Sequence, residues 1–227
     1  MIKYPKIETI FKRDPDTHKV IPWDFRRIEF TMINSWLVTE KIDGMNIRII
    51  YYPDTHHIIF TGRTDKAIIP QPLLDYLHDV ITPGKLANIF KPESKQASEK
   101  EAFHVILYGE GYGPKIQSGG NYAPSPRFRL FDVLITKLYP PRRLWLSWES
   151  IEDIAEKIGI KTAPKLGIME TAEIVSLVEV GIPSQVAKEE NNMLYLSEGV
   201  VARTEPLLLD RLGNRIMWKL KTRDFKG

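Results

Sequence analysis

Lys41 stands inside "WLVTEKIDGMNIRIIYY" (Trp36 to Tyr52), where two apolar, strand-like ends enclose a lysine, an aspartate and a glycine. An Asp-Gly pair suits a turn, but a turn has no need of the lysine. A lysine amine can attack an electrophile only when it is neutral. Five further stretches set polar residues at the ends or in the middle of apolar runs: "TGRTDKA" (Thr61 to Ala67), "LYGEGYG" (Leu107 to Gly113), "RLFDVL" (Arg129 to Leu134), "SEGVVAR" (Ser197 to Arg203) and "WKLKTRDF" (Trp218 to Phe225).

Taken singly, each has an ordinary structural reading. Asp43-Gly44 suits a hairpin turn, Glu110 a strand-end carboxylate, Asp132 a cap on a neighbouring amide, and Glu198-Gly199 a turn. Lys219 and Lys221 suit the solvent face of an edge strand, where lysines oppose aggregation. Taken together, they form a reactive set. Lys219 and Lys221 are two apart, so on a strand they point the same way and repel unless an anion lies between them. A triphosphate is such an anion. Carboxylates beside phosphates call for a hard cation, and Mg²⁺ bound through one or two carboxylates plus phosphate oxygens is the usual solution; Mn²⁺ accepts the same oxygens. Cationic neighbours would disfavour the charged form of Lys41 and free its lone pair. The same charges would stabilise a phosphoryl transition state.

The elements that must position these residues are legible in part. Strand patterns cover Trp36–Glu40, Asn46–Tyr52 and His57–Thr61, with hairpin chemistry in "YPDTHH". "FHVILYG", "PRFRLFDVLI", "EGVVART" and "RIMWKLK" are further strands. "PQPLLDYLHDV" has a helical period opened by proline. "SIEDIAEKIG" is a helix capped by Ser150 and stopped by Gly159, and "TAEIVSLVEVG" opens at Thr171, turns Ile174, Leu177 and Val178 inward and closes at Gly181. "KPESKQASEKE" (Lys91 to Glu101) is polar throughout and reads as an exposed loop. Strands cluster with helices between the groups, which predicts an α+β fold with largely antiparallel sheets and helices packed outside. No Pro/Gly/Ser linker divides the chain, so one domain over 1–227 is expected.

The chain has 227 residues, 43% of them hydrophobic, which is enough for a substantial core. With no cysteine, disulfides, thiolate metal sites and a cysteine nucleophile are excluded, and a reducing, cytoplasmic setting fits. No apolar run is long enough to span a bilayer, so no membrane partner is expected. A net charge of +3 is too small to argue for nucleic acid by itself; a local basic groove would have to do so. The five histidines form no ligand spacing, and His56 and His57 fall side by side on a strand.

Five blocks in order, "KIDG", "YGEG", "LFDV", "EGVV" and "KLK", resemble the signature of the covalent nucleotidyltransferases: ATP-dependent RNA and DNA ligases and mRNA-capping guanylyltransferases. The likeness runs from Glu40 to Lys221. "KIDGMN", "YGEGYGPKIQSGGNY", "GRTDKAIIP" and the "KTRDF" ending are most similar to phage and bacterial RNA ligases. The resemblance implies an ATP-grasp-like ligase catalytic domain and an ATP- and Mg²⁺- (or Mn²⁺-) dependent RNA ligase, with a role such as RNA repair on RNA ends or nicked duplexes. A DNA ligase with the same first step, or a nucleic-acid-end binding module that has lost catalysis, is the alternative. By the same resemblance, Lys41 takes AMP from ATP as a phosphoramidate, Glu40 lies against the adenine amino edge, and Phe131 and Val201 cover the two faces of the base. Arg63 and Glu110 hold the ribose. Asp43, Asp132 and Glu198 organise the metal. Lys219 and Lys221 grip the phosphates, and Asn46 serves the later steps. The chain stops six residues after Lys221, so no C-terminal OB domain is expected.

Overall fold

The computed structural model describes residues 2–64, 66–91, 103–137, 142–191 and 193–225. Apart from Lys91, the polar stretch expected as a loop lies outside the described residues. Backbone contacts divide the chain into two compact units: Met1–Tyr4 with Gly44–Thr162, and Pro5–Asp43 with Ala163–Gly227. Each is built on its own sheet, and strands are numbered along the chain.

In the first unit the strand order is β10 (Lys161–Thr162), β8 (Arg127–Lys137), β7 (Phe103–Tyr112), β5 (Met45–Tyr52) and β6 (His57–Gly62), with β9 (Arg142–Trp145) also paired to β8. All pairs are antiparallel except β10 with β8. The inner strands are close to continuous apolar runs: Ile47, Ile49, Val105, Leu107, Leu130 and Val133 are buried. The helices α1 (Gln71–Val80), α2 (Pro83–Ile89) and α3 (Trp148–Ile158) belong to this unit. Helix α3 is capped by Ser147, whose Oγ accepts from the Ser150 amide at 3.3 Å, and not by Ser150 as expected. Burying Trp148 extends the helix by the extra residues. Gly159 ends it in the left-handed region, φ 82°. His56, at φ 55°, sits in the β5–β6 turn, so the two neighbouring histidines do not share a strand.

The second unit has the order β1 (Glu8–Thr9), β13 (Met217–Lys221), β12 (Gly199–Arg203), β4 (Ser35–Lys41) and β11 (Lys165–Glu170), beside a hairpin of β2 (Phe11–Arg13) and β3 (Val20–Phe25). Helices α4 (Thr171–Val180) and α5 (Gln185–Asn191) complete it. One face of the sheet packs as a core: Trp36, Val38, Val200, Ala202, Trp218 and Leu220 meet Ile174, Val175 and Val178 of α4. The Trp36 and Trp218 rings meet edge to face at 5.4 Å. Large side chains buried this fully each contribute about 1.5–3 kcal/mol. Strands β1 to β3, which the mixed composition before Trp36 does not announce, pin the edge: Thr9 stands in parallel register with Lys219.

The hairpin reading of Asp43-Gly44 does not hold, because β4 and β5 belong to different sheets and the chain passes from one unit to the other here. The glycine is required for another reason. A Cβ at Gly44 would lie 2.3 Å from the Gly111 carbonyl oxygen, so only glycine lets the chain pass this close to β7. Among the described residues, no helix is long and apolar enough to cross a membrane.

Candidate active site

The register of three adjacent strands brings the expected lysines together. Across β4, β12 and β13, Lys41, Gly199 and Lys221 are directly opposite one another, and two residues along so are Thr39, Val201 and Lys219. Residues opposite in a ladder share a face, as do residues two apart on one strand. Lys41, Val201, Lys219 and Lys221 therefore occupy a single face, with Trp218, Leu220 and Val200 on the other. Strand β13 is paired on both sides, so its two lysines are not the solvent face of an edge strand. They are half-buried, as are Lys41 and Val201.

Between Lys41 and Lys221 lies the Glu198 carboxylate. It takes the Lys41 Nζ at 2.5 Å on Oε2 and pairs with Lys221 through Oε1. Burial alone would push the Glu198 carboxyl up, but the two ammonium groups outweigh it and hold the acid below its ordinary range. The backbone fixes this bridge: the Glu198 amide donates to the Lys41 carbonyl at 3.2 Å and the Thr222 amide to the Glu198 carbonyl at 3.0 Å. So the neighbours of Lys41 are not cationic only, as expected; a carboxylate stands between the two ammonium groups.

Gly199 makes the bridge possible. Its φ is 149°, and a Cβ there would lie 2.1 Å from the Leu220 carbonyl oxygen. Gly199→Ala should therefore destabilise the protein by about 1–3 kcal/mol, read as a lower midpoint in urea, because both backbone strain and a clash oppose it.

The strand that carries the lysines is held from behind by residues that the sequence did not single out. Asp224, nearly buried, accepts from Arg13 Nη2 at 2.8 Å and from the Lys221 amide at 3.0 Å. Arg13 in turn donates to the His18 carbonyl at 2.6 Å, tying the β2–β3 hairpin to the end of β13. The Arg13–Asp224 link spans most of the chain and leaves no local signal. Arg203, on β12, is 8% exposed.

Glu40 is on the opposite face from Lys41 and is 1% exposed. Its Oε1 accepts from Ser184 Oγ at 2.5 Å, and its Oε2 from the amides of Gln185 and Val186 at 2.9 and 3.3 Å. Ser184 Oγ also accepts from the Ala187 amide at 3.0 Å. Serine at this place, just after Pro183, is the N-cap signal that would have located α5, which the sequence reading missed.

The remaining expected residues belong to the other unit. Glu110 accepts from the Gly44 amide at 3.2 Å and faces Asn46 across the β5–β7 ladder. The Asn46 Oδ1 is buried without a hydrogen-bond partner. Arg63 is exposed in the bend after β6. Phe131 sits at the irregularity of β8 opposite Tyr108 and Gly109, and its ring meets that of Tyr4 edge-on at 5.1 Å. Asp132 is wholly buried, and its Oδ2 accepts from the Tyr4 hydroxyl at 2.7 Å. Tyr4 carries no sequence signal for this role.

The carboxylates expected to hold metal, Asp43, Asp132 and Glu198, supply hard oxygen donors, the type that Mg²⁺ and Mn²⁺ take. Among the described residues no three His, Asp or Glu side chains converge to cage an ion. The donor set fits an ion bound through one or two carboxylates, with phosphate and water filling the rest of its shell. Asp132, closed from solvent and bonded to Tyr4, is less open than Glu198 or Asp43.

Comparison with known proteins gives the same direction. A family model described as RNA ligase matches residues 34–221. No curated protein matches the sequence. Among solved structures, the chain is similar to a mutant of the RNA ligase of Naegleria gruberi in apo form, at 17% identity and a TM-score of 0.62, covering 99% of this chain and 57% of that one. It is also similar to mutants of the same ligase with AMP and Mn (16%, 0.63, covering 99% and 57%) and with ATP and Mn (17%, 0.62, covering 97% and 56%). These likenesses bear out the α+β, largely antiparallel fold. The chain spans a little over half the length of these structures.

Proposed function

Because the chain belongs to the RNA ligase family, we propose that it is an ATP-dependent RNA ligase, joining 5′-phosphate and 3′-hydroxyl RNA ends through a lysyl-AMP and an adenylylated RNA. The observation that carries this reading is the single face bearing Lys41, Lys219 and Lys221, with Glu198 bridging the first and last. An ammonium bonded to a carboxylate is not a nucleophile. A triphosphate arriving at Lys219 and Lys221 offers Lys221 an anion in place of Glu198 and loosens the bridge. Lys41 Nζ then gives a proton to solvent and its lone pair forms a bond to the α-phosphorus, a second proton leaving as the phosphoramidate nitrogen becomes neutral. The bond from that phosphorus to the oxygen bridging to the β-phosphorus breaks, and pyrophosphate leaves with the electron pair. In the next step a 5′-phosphate oxygen takes the AMP as the P–N bond breaks. A 3′-hydroxyl finally displaces AMP from the activated end.

Val201, on the same face, is suited to cover one side of the base. Phe131 is proposed for the other side, Arg63 and Glu110 for the ribose, and Asn46, with its unpaired oxygen, for the later steps. Glu198 and Asp43 are the carboxylates proposed to hold a divalent ion, which would offset charge on the phosphates. The complexes of the Naegleria ligase with ATP or AMP and Mn support a divalent ion beside the nucleotide. A chain without cysteine suits a reducing compartment such as the cytoplasm.

The reading is tested by mixing the protein with α-labelled ATP and Mg²⁺, which should leave the label on the protein. RNA nicks should then be sealed when the 3′-hydroxyl strand is RNA. Equal sealing of DNA strands would move the proposal to a DNA ligase, and RNA retained on a filter without any covalent label would replace it with a binding module.

A further inference from the structure

The resemblance would set Glu40 against the adenine amino edge. The strand geometry argues otherwise. Glu40 and Lys41 are consecutive on β4, so their side chains leave opposite faces of the sheet. Val201, suited to cover the base, is on the Lys41 face. Glu40 instead points with Val200 to the core face and is closed from solvent.

Its carboxylate is also occupied there. Oε2 accepts two backbone amides from the first turn of α5, and Oε1 accepts the Ser184 hydroxyl. With the Ala187 amide bonded to Ser184, the first three amides of the helix are all satisfied. A buried carboxylate stripped of these donors would carry a large desolvation cost, so it is held firmly where they are. The backbone of the same residue is fixed too: the Glu40 amide donates to the Pro164 carbonyl at 2.8 Å, and Glu40 pairs with Val200 in the ladder. The next residue is Lys41, whose own carbonyl accepts from Glu198.

We propose that Glu40 is a positioning residue for Lys41, locking the end of β4 by capping α5, and does not read the base. This rests on the ligase reading. A nucleophile displaced by about an ångström loses rate while nucleotide binding is kept, on the order of 10–100-fold. A residue that touches adenine would instead change affinity and selectivity for the base.

The test is single-turnover labelling of Glu40→Gln with ATP and with purine riboside triphosphate, which lacks the exocyclic amino group. The expected result is a loss of about 10–100-fold in maximal rate, an apparent KM for ATP within about threefold of wild type, and an unchanged preference for ATP over the analogue. Ser184→Ala keeps the charge and removes one bond of the cap. It should lower the rate in the same manner but less, and add nothing in the double variant. If Glu40→Gln does not fold, Ser184→Ala alone decides by whether it lowers maximal rate or leaves it untouched. A raised KM with maximal rate kept, or ATP preference lost in Glu40→Gln, would overturn the proposal and leave the ligase reading standing. A wild type that takes no label removes both.

Discussion

Lys41→Arg should abolish labelling by ATP as completely as Lys41→Ala, a loss of at least about 10⁴-fold, the scale seen when a covalent nucleophile is deleted. Arginine retains the charge, and its longer side chain can still reach Glu198. What it lacks is a proton it can give up, since the guanidinium stays charged at any working pH. The two variants should part in stability. Lys41→Arg keeps an ion pair with Glu198, whereas Lys41→Ala leaves that carboxylate with Lys221 only. A melting temperature close to wild type for Lys41→Arg, beside no detectable adduct by mass spectrometry, is the combination that places the chemistry on the amine. An arginine variant that still carries AMP would show that another group is the acceptor.

What the sequence made legible divides along physical lines. β4, β5, β7, β8, β12 and β13 have runs of apolar or alternating residues long enough to register as strands, and α4 has a complete apolar stripe with a glycine stop. From these alone Lys219 and Lys221 share a face, because two residues on a strand always do. The union of Lys41 with Glu198 is different. It depends on β4 pairing with β12, and those strands are separated by most of the chain. Spacing cannot supply that register; ordered blocks resembling a family can suggest it. Helix α5 has seven residues, too few for a period, and its first amides are capped by Glu40 and Ser184. The direction of Glu40 was available from its parity with Lys41, and only the family likeness argued the other way. Tyr4 and Arg13 reach Asp132 and Asp224 from far along the chain, and neither lies in a patterned segment.

Glu198→Gln should lower both stability and labelling, and the pH dependence identifies why. Glutamine preserves the shape but leaves Lys41 and Lys221 with no carboxylate between them. Since all three side chains are at most about a fifth exposed, the cost should be about 1–3 kcal/mol, less than for a wholly buried pair. Labelling should fall by roughly 10²-fold or more, because the charge that orients Lys41 and is proposed to help hold the ion is gone. In the wild type, burial raises the Glu198 carboxyl and the two lysines lower it further, so its folded value lies below the ordinary 4.5. A carboxyl lowered on folding contributes stability that is complete above its unfolded value and disappears as pH falls through the folded one. The stability gap between wild type and Glu198→Gln, measured by urea unfolding, should therefore be constant near neutrality and close only in acid, below the usual carboxylate range. A gap that persists unchanged after both forms are uncharged would mean that Glu198 acts by packing and hydrogen bonding, not by balancing the two lysines.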